Sequence, residues 1–214
     1  MEAYGDSGLR WMRRGRVWRF WFNQDRKWRR MEIKWISHRE AVNARDILAD
    51  FLKGFVAVAK YGRTVIYEGD AYYLPYQMLT YQVEETGEKY GFLAGMLCED
   101  ISFFKLEGKT DIEISSEEVC QAYVLQGEKN EERIREEISR KIKLNKRLRK
   151  MFMRFKMREL SFQPVYLREQ AFYVKGKSMN LFLVDDFLQK VDFKHLEAVE
   201  KRFVENCRLQ ADAV

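Results

Sequence analysis

The chain has 214 residues, of which 46% are hydrophobic, and only two are proline. This composition supports a buried core and excludes an intrinsically disordered or collagen-like chain. Its 39 Lys and Arg residues exceed its 33 Asp and Glu residues, giving a formal net charge of +6. That excess is confined to residues 1–30, where nine basic residues accompany three acidic ones. Residues 31–214 are electrically balanced, so net charge alone does not indicate that they bind an anion.

The numbers and positions of the cysteines and histidines argue against a domain stabilised by disulfides and against one stabilised by zinc. Cys98, Cys120 and Cys207 are odd in number and far apart, and only His38 and His195 accompany them. This set predicts neither a disulfide framework nor a four-ligand zinc site, and it is typical of free thiols in the cytoplasm. The sequence contains no apolar run of about 18 residues, so no membrane-spanning helix is predicted. We therefore expect a cytoplasmic protein without a metal ion or other cofactor.

Residues 1–30 form an extension rich in arginine and tryptophan, which contains four of the five tryptophans of the chain. Arginine can neutralise phosphate while tryptophan stacks on bases, and the same side chains can lie at an anionic membrane surface. A third interpretation is that the translation start has been misassigned and lies at Met31. Trp28-Arg29-Arg30 can be encoded by a purine-rich bacterial ribosome-binding site directly before Met31, so the segment could be translated upstream DNA.

Residues 31–127 are predicted to be rich in strands. The sequence Ser37–Glu40 matches a capping box, which predicts a helix that begins there and ends at Gly54. Pro75 predicts that the longest strand lies at a sheet edge or carries a bulge at that point. Ser115–Glu118 predicts a short helix that Gly127 ends. Short glycine turns separate the β-rich runs and predict an antiparallel meander. These runs are 55–60, 64–68, 71–84, 90–98, 101–106 and 111–114.

The rest of the chain predicts one long helix, a hairpin and a final helix. Asn130 predicts the N-cap of a long basic helix over residues 128–159. Residues 160–214 are predicted to form a β-hairpin and a C-terminal helix capped by Asp192. The predicted fold class is a single α+β domain over residues 31–214. It consists of an antiparallel meander sheet packed by helices, with the long basic amphipathic helix between two strand-rich halves.

Two stretches of the chain resemble each other weakly. Each contains a proline, an aromatic residue, a glycine turn and a Phe-Leu pair. The matching positions are Pro75 and Pro164, Tyr81 and Phe172, and the pairs Phe92-Leu93 and Phe182-Leu183. Alternating strands resemble one another by chance, so an internal repeat is a hypothesis at this level.

The long predicted helix carries ten Lys and Arg residues between positions 140 and 158 and no acidic residue. The cations could bind a protein partner or a polyanion, such as nucleic acid or an anionic lipid surface. They could equally form a solvated face paired with carboxylates elsewhere in the fold. The leading predicted function is a non-catalytic cytoplasmic binding or regulatory protein. The residues predicted to contact the partner are Arg140, Lys143, Lys146, Arg147, Lys150, Arg154 and Arg158.

The alternative is a small-ligand-binding domain or an enzyme. One candidate site is the segment from Asp185 to His195, because carboxylates and an imidazole can hold a divalent ion or move a proton. Asp192 is also explained as a helix cap, and no nucleophile motif is present, so no catalytic residue is predicted. The other candidate is an aromatic sheet surface, although such side chains also pack in pairs across strands. Its members are Tyr67, Tyr72, Tyr73, Tyr76, Tyr81, Tyr90 and Phe92.

Overall fold

The structure is a computed structural model that describes residues 29–38, 42–106, 112–127 and 129–211. Most of the arginine- and tryptophan-rich extension, and Glu40 of the predicted capping box, lie outside the described residues. The strands are β1 (Arg30–His38), β2 (Val65–Val83), β3 (Lys89–Gly95), β4 (Ile101–Lys105), β5 (Ile112–Cys120), β6 (Met157–Lys175), β7 (Met179–Asp185) and β8 (Lys190–Asp192). The helices are α1 (Ala44–Lys53), α2 (Phe55–Tyr61), α3 (Glu131–Leu144), α4 (Lys146–Arg154) and α5 (Leu196–Ala211).

One mostly antiparallel sheet contains the eight strands of the described residues. The two longest strands, β2 and β6, pair antiparallel from Val65 opposite Lys175 to Val83 opposite Met157. β3 and β4 extend the sheet beyond β2, and β7 and β8 extend it beyond β6. β1 runs parallel to the middle of β6 and pairs antiparallel with β5. The predicted meander is therefore wrong, because the central pair joins strands that are far apart in the chain.

Helices cover both faces of the sheet. Alternate residues of a strand point to opposite faces, and Val165 and Ala171 of β6 share a core with Val199 of α5. Phe162 and Phe172 of the same strand point the other way. Phe162 packs with residues of α3 and α4, and Phe172 packs with residues of α1 and α2. Helices α1 to α4 therefore form one layer, and α5 covers the opposite face.

The predicted long basic helix is wrong, because the chain leaves the helical conformation at Asn145. This residue has an extended backbone, with φ −86° and ψ 110°. Its side-chain Oδ1 accepts hydrogen bonds from the N–H groups of Arg147, at 3.0 Å, and Leu148, at 3.1 Å. Asparagine is a favoured N-cap because it satisfies N–H groups that have no partner within the helix. The segment therefore forms two short helices, α3 ending at Leu144 and α4 beginning at Lys146.

Three further predictions of local secondary structure are wrong, because contacts with distant parts of the chain determine the structure there. Residues 55–60 belong to helix α2 instead of a strand, and Ala57 packs into the core beside β6 and β7. Ser115–Glu118 lies in β5 instead of a helix, because β5 pairs with β1 over nine positions. Ser37 lies in β1, and Asn43 is the N-cap of the first helix. The helix end at Gly54 and the helix start after Asn130 agree with the structure.

Pro75 lies in the interior of the sheet, and the register with β6 is continuous there, so both the predicted edge position and the predicted bulge are wrong. Its carbonyl oxygen accepts a hydrogen bond from the N–H of Met96 at 3.1 Å. The nitrogen and carbonyl of one strand residue face the same neighbouring strand. The missing N–H of Pro75 therefore faces the place where β3 ends, at Gly95. The proline interrupts no ladder of hydrogen bonds at that point.

The order of elements repeats along the chain. The series β1-α1-α2-β2-β3-β4 is followed by β5-α3-α4-β6-β7-β8, with one additional 3₁₀ turn at Gln121–Tyr123. The long strands of the two series pair with each other, and Tyr76 lies opposite Val165. These two residues directly follow the two prolines of the chain, Pro75 and Pro164. The element order therefore supports the hypothesis of an internal repeat with a two-fold relationship.

Candidate basic surface and buried acidic cluster

Helix α4 presents its basic side chains to solvent. Leu148 is buried, and Met151 and Phe152 pack against the core formed by β2, β3 and α3. Because residues three and four apart share a face of a helix, this packing leaves the cations on the outer side. All five cations of α4 are exposed, and we refer to them as the α4 basic surface: Lys146, Arg147, Arg149, Lys150 and Arg154.

The cations between positions 140 and 158 are mostly without acidic partners among the described residues. Arg140 Nη2 lies 3.1 Å from Glu99 Oε2, and Lys156 Nζ lies 2.8 Å from Glu84 Oε2. Within the described ranges the α4 basic surface has no ion pair. The interpretation as an acid-paired face therefore applies to two of the ten cations in this segment.

The seven residues predicted to contact a partner lie on three elements. Arg140 and Lys143 belong to α3, and Arg158 belongs to β6, where it donates a hydrogen bond to Gln82 Oε1 at 3.2 Å. The structure brings the other four together on one helix. These four are Lys146, Arg147, Lys150 and Arg154.

Large apolar side chains are exposed in the same layer of helices. Met153 is 81% exposed, and it follows Lys146 and Lys150 at spacings of seven and three residues, which aligns all three along α4. Leu144 at the end of α3 is 80% exposed. Phe55 at the start of α2 is 88% exposed. The layer formed by α1 to α4 therefore presents both cations and apolar side chains to solvent.

A second site lies inside the core, on the face of the sheet that α5 covers. His195 Nδ1 lies 2.6 Å from Asp192 Oδ2 and 3.3 Å from Glu169 Oε1. Glu169 of β6 and Asp185 of β7 lie directly opposite each other in the paired strands. The side chain of Tyr76 is also buried nearby, with its ring centroid 6.0 Å from that of His195. All four ionisable residues are buried, and we refer to them as the buried acidic cluster: Glu169, Asp185, Asp192 and His195.

Burial and hydrogen bonding shift the pKa values of this cluster in opposite directions. Loss of hydration raises the pKa of Glu169 to about 8 and that of Asp185 to about 6. Burial also opposes ionisation of Asp192, but the hydrogen bond from His195 holds the pKa of Asp192 below its usual range. Burial likewise opposes protonation of His195, yet hydrogen bonds with Asp192 and Cys98 raise its pKa to about 12. The imidazolium and the Asp192 carboxylate therefore stabilise each other.

Cys98, in the loop between β3 and β4, contacts the other nitrogen of the histidine ring. Its Sγ lies 3.1 Å from His195 Nε2. Lys129 Nζ donates a hydrogen bond to the carbonyl oxygen of Cys98 at 2.7 Å and another to Glu137 Oε2 at 2.7 Å, which ties this loop to α3. The Cys98 thiol, the His195 imidazole and the Asp192 carboxylate are thus arranged like the nucleophile, the base and the orienting carboxylate of a catalytic triad. The imidazole can exchange a proton with the thiol, or it can hold a metal ion through Nδ1.

The structure separates the residues of the segment from Asp185 to His195. Asp186 forms an ion pair with Arg168 at 3.1 Å instead of joining the buried acidic cluster. Asp192 does not cap the final helix. Its Oδ1 accepts a hydrogen bond from the N–H of Lys194 at 2.6 Å, and α5 begins later, at Leu196.

Sequence reasoning missed Glu169 and Cys98 as members of this site. The sequence does contain a sign of Glu169, because this residue is the one charged position in a series of alternate, inward-facing apolar residues of β6. These residues are Val165, Leu167 and Ala171. Cys98 has no such signal, since only the fold brings the loop between β3 and β4 to the histidine.

The predicted aromatic surface is largely occupied by packing contacts. Tyr76 is buried. Tyr81 packs edge-on against Phe152 of α4, with ring centroids 5.3 Å apart. Tyr90 stacks on Phe103 of the neighbouring strand at 5.5 Å. These rings stabilise strand–strand and helix–sheet contacts, so they do not support a ligand groove.

No protein-family model matches the chain, and no curated protein and no solved structure matches it significantly. Among the described residues, no helix is long and apolar enough to cross a bilayer.

Proposed function

We propose that this protein is a non-catalytic binding protein that uses the α4 basic surface to hold a polyanion. The favoured polyanion is the headgroup layer of an anionic membrane. The observation that carries the proposal is the α4 basic surface itself, where five exposed cations have no acidic partner among the described residues and share the helix with an exposed methionine.

The unpaired state of the cations supports a polyanion partner. Exposed ion pairs contribute little to stability, so a fold gains little by collecting like charges on one helix. Repulsion between neighbouring cations opposes that arrangement. Lys146 and Lys150, one helical turn apart, are a like-charge pair of the kind that destabilises an isolated helix. An anionic partner relieves this repulsion, and clusters of four to eight basic residues on an amphipathic helix are typical of anionic-lipid binding.

The apolar side chains favour a lipid surface over nucleic acid. Met153 is exposed in line with Lys146 and Lys150 on α4, and Leu144 and Phe55 are exposed in the same helical layer. Apolar side chains can enter the boundary between headgroups and acyl chains, which adds hydrophobic free energy to the electrostatic attraction. A phosphate backbone offers no such environment. A single-stranded nucleic acid would also be expected to use aromatic stacking, whereas the residue aligned with the lysines of α4 is methionine.

The same proposal places the protein in the cytoplasm. Cys98 and Cys120 are free thiols in the described structure, as expected for a reducing compartment. The cytoplasmic leaflet is also the one that carries a negative surface potential.

The test compares the full-length chain with two triple variants in vesicle co-sedimentation. Phosphatidylcholine vesicles with and without phosphatidylserine provide the surface, and binding is measured over a range of salt concentrations. The variant Arg147→Gln, Lys150→Gln and Arg154→Gln should weaken binding to the anionic vesicles roughly a hundredfold, because each cation near such a surface contributes about 1 kcal/mol. Wild-type binding should decrease with salt, since exposed charges are screened.

The control variant removes three exposed cations from other elements: Lys34, Arg45 and Lys201, each replaced by glutamine. It has the same net charge as the first variant and should bind anionic vesicles like the wild type. Equal binding by the two triple variants would exclude the α4 basic surface as the site. Replacing Met153 by serine should weaken vesicle binding but not binding to a DNA duplex. If duplex binding were stronger than vesicle binding, the partner would be nucleic acid instead.

A further inference from the structure

We propose that Glu169, Asp192 and His195 form a binding site for one divalent transition-metal cation of the zinc type, independently of the α4 basic surface. One potential ligand atom from each residue lies within 4.8 Å of the other two. The three residues come from β6, the end of β8 and the turn before α5, so the fold brings the site together from separate elements. All three side chains are buried, which removes competing water from the ligand atoms.

Unpartnered oxygen atoms in the core support a bound cation. Glu169 is fully buried; its Oε2 has no hydrogen-bond partner among the described residues, and its Oε1 has only the 3.3 Å contact with His195 Nδ1. The hydroxyl oxygen of Tyr76 and Oδ2 of Asp185 are also buried without a partner there. Buried polar atoms in native proteins are nearly always satisfied, because an unpaired one loses its hydration without compensation. A cation beside Glu169 supplies the missing partner.

The spacing of the ligand atoms fits a small tetrahedral ion. Zinc binds histidine nitrogen at about 2.0–2.1 Å and carboxylate oxygen at about 2.0–2.2 Å, which separates tetrahedral ligand atoms by roughly 3.3 Å. The distance from His195 Nδ1 to Glu169 Oε1 is already 3.3 Å. The distance from Nδ1 to Asp192 Oδ2 is 2.6 Å, so this pair must open slightly when the ion enters.

The mixed ligand set selects the class of metal. Calcium and magnesium prefer oxygen ligands alone, whereas one imidazole with two carboxylates suits zinc and neighbouring transition metals. Two carboxylates also balance the charge of a divalent ion. With Nδ1 on the metal, Nε2 carries the ring proton and donates it towards Cys98 Sγ, 3.1 Å away. A hydrogen bond of this kind orients a metal-binding histidine, so Cys98 acts as a positioning residue and not as a ligand.

The test uses the full-length chain, treated with a chelator and then titrated with Zn²⁺ by calorimetry. One ion should bind per chain, and Tm should rise with free Zn²⁺ because the folded state alone holds the site. Glu169→Gln and Asp192→Asn keep the size of each side chain and should each weaken Zn²⁺ binding by more than about a hundredfold, beyond the effect usual for outer-shell partners. Circular dichroism confirms that each variant is folded.

Two matched controls report on specificity. Asp186→Asn makes the same carboxyl-to-amide change next to the site, and His38→Gln removes the other histidine of the chain. Both should bind Zn²⁺ like the wild type, whereas Cys98→Ser should weaken binding about tenfold. Wild-type protein that neither binds Zn²⁺ nor gains thermal stability would overturn the proposal. So would binding by Glu169→Gln at wild-type affinity.

A spectroscopic measurement decides the question if the site variants do not fold. Co²⁺ should give the wild-type chain the visible absorption of a tetrahedral site with nitrogen and oxygen ligands. A thiolate-to-cobalt charge-transfer band that disappears in Cys98→Ser would show that sulfur is a ligand, and the proposed ligand set would be wrong. An octahedral spectrum in the wild type would also contradict it.

Discussion

Arg135 of α3 and Glu159 of β6 form an ion pair with two parallel hydrogen bonds, in which Nη1 and Nη2 donate to the two carboxylate oxygens at 2.9 Å each. The guanidinium carbon also lies 4.3 Å from the centroid of the Phe162 ring, and Nε donates to Glu131 Oε1 at 2.8 Å. Planar guanidinium groups favour this combination of paired hydrogen bonds and stacking. Arg135 therefore fixes the first part of α3 against the beginning of β6.

The Arg135–Glu159 pair predicts part of the acid sensitivity of the fold. The hydrogen bond from Arg135 holds the pKa of Glu159 below its usual value. A carboxyl group whose pKa falls on folding stabilises the folded state above its unfolded pKa, and this contribution is lost as pH falls through the folded pKa. Glu159→Gln should therefore cost more stability at pH 7 than at about pH 3. Both side chains are more than a third exposed, so the difference should be about 1 kcal/mol or less.

Urea unfolding of wild type and Glu159→Gln at both pH values measures this effect. Glu118→Gln is a suitable control, because the Glu118–Arg30 pair is longer, at 3.7 Å, and more exposed. Its stability difference from wild type should vary less with pH. If the stability difference between wild type and Glu159→Gln were the same at the two pH values, the pair would not contribute to the loss of stability at low pH.

The second prediction concerns the cap at Asn145. Asn145→Ala removes the acceptor for the N–H groups of Arg147 and Leu148, and it should lower the free energy of unfolding by about 1 kcal/mol. Asn145→Ser keeps a side-chain acceptor and should lose less than half of that amount. Denaturant unfolding of the two variants checks the order. If the alanine variant were as stable as the serine variant, the break between α3 and α4 would not depend on the cap.

The elements that the sequence predicts correctly are those fixed by neighbouring residues. The helix start after Asn130 depends on one side chain that accepts from the N–H of Arg133. The hairpin predicted within residues 160–214 depends on a short turn between two apolar strands, and β6 and β7 do pair antiparallel on either side of such a turn. Local geometry decides such features, so a single sequence can indicate them.

The features that could not be predicted depend on pairing across long distances in the chain. Ser115–Glu118 has the composition of a helix start, yet nine paired positions with β1 hold it in a strand. The antiparallel pairing of β2 with β6 leaves no local trace in either strand. The buried acidic cluster follows from the same cause. Glu169 becomes a site residue only when α5 brings His195 over the sheet.

The third prediction tests the turn at Gly176. A Cβ atom on this residue would collide with the backbone carbonyl oxygen of Tyr61, at the end of α2. Backbone atoms cannot move away cheaply, so Gly176→Ala should destabilise the fold by about 1–3 kcal/mol. Gly87→Ala is a useful comparison. That glycine has φ +76°, and its Cβ would meet only the end of a flexible side chain, Gln82. Loss of stability at Gly87 alone would show that the contact with Tyr61 relaxes.

The last prediction concerns the buried ion pair of Lys129 and Glu137, whose side chains are each 6% exposed, with Nζ 2.7 Å from Oε2. Without Lys129, the buried Glu137 carboxylate keeps only a 3.5 Å contact between its Oε1 and Arg133 Nε, and such a loss of a buried partner is costly. Lys129→Met should therefore lower the free energy of unfolding by about 3 kcal/mol or more. The same change removes the donor to the Cys98 carbonyl oxygen, so the loop between β3 and β4 should exchange its amide protons faster.

The double variant Lys129→Met and Glu137→Leu separates these two effects. Replacing both charges by apolar side chains removes the buried carboxylate that has lost its main partner, so the double variant should regain most of the lost stability. It should remain below wild type by about 1 kcal/mol, because the Cys98 carbonyl oxygen still lacks its donor. Denaturant unfolding of wild type, both single variants and the double variant forms a complete cycle. If the two single effects simply add, Lys129 stabilises the fold through the Cys98 loop and not through Glu137.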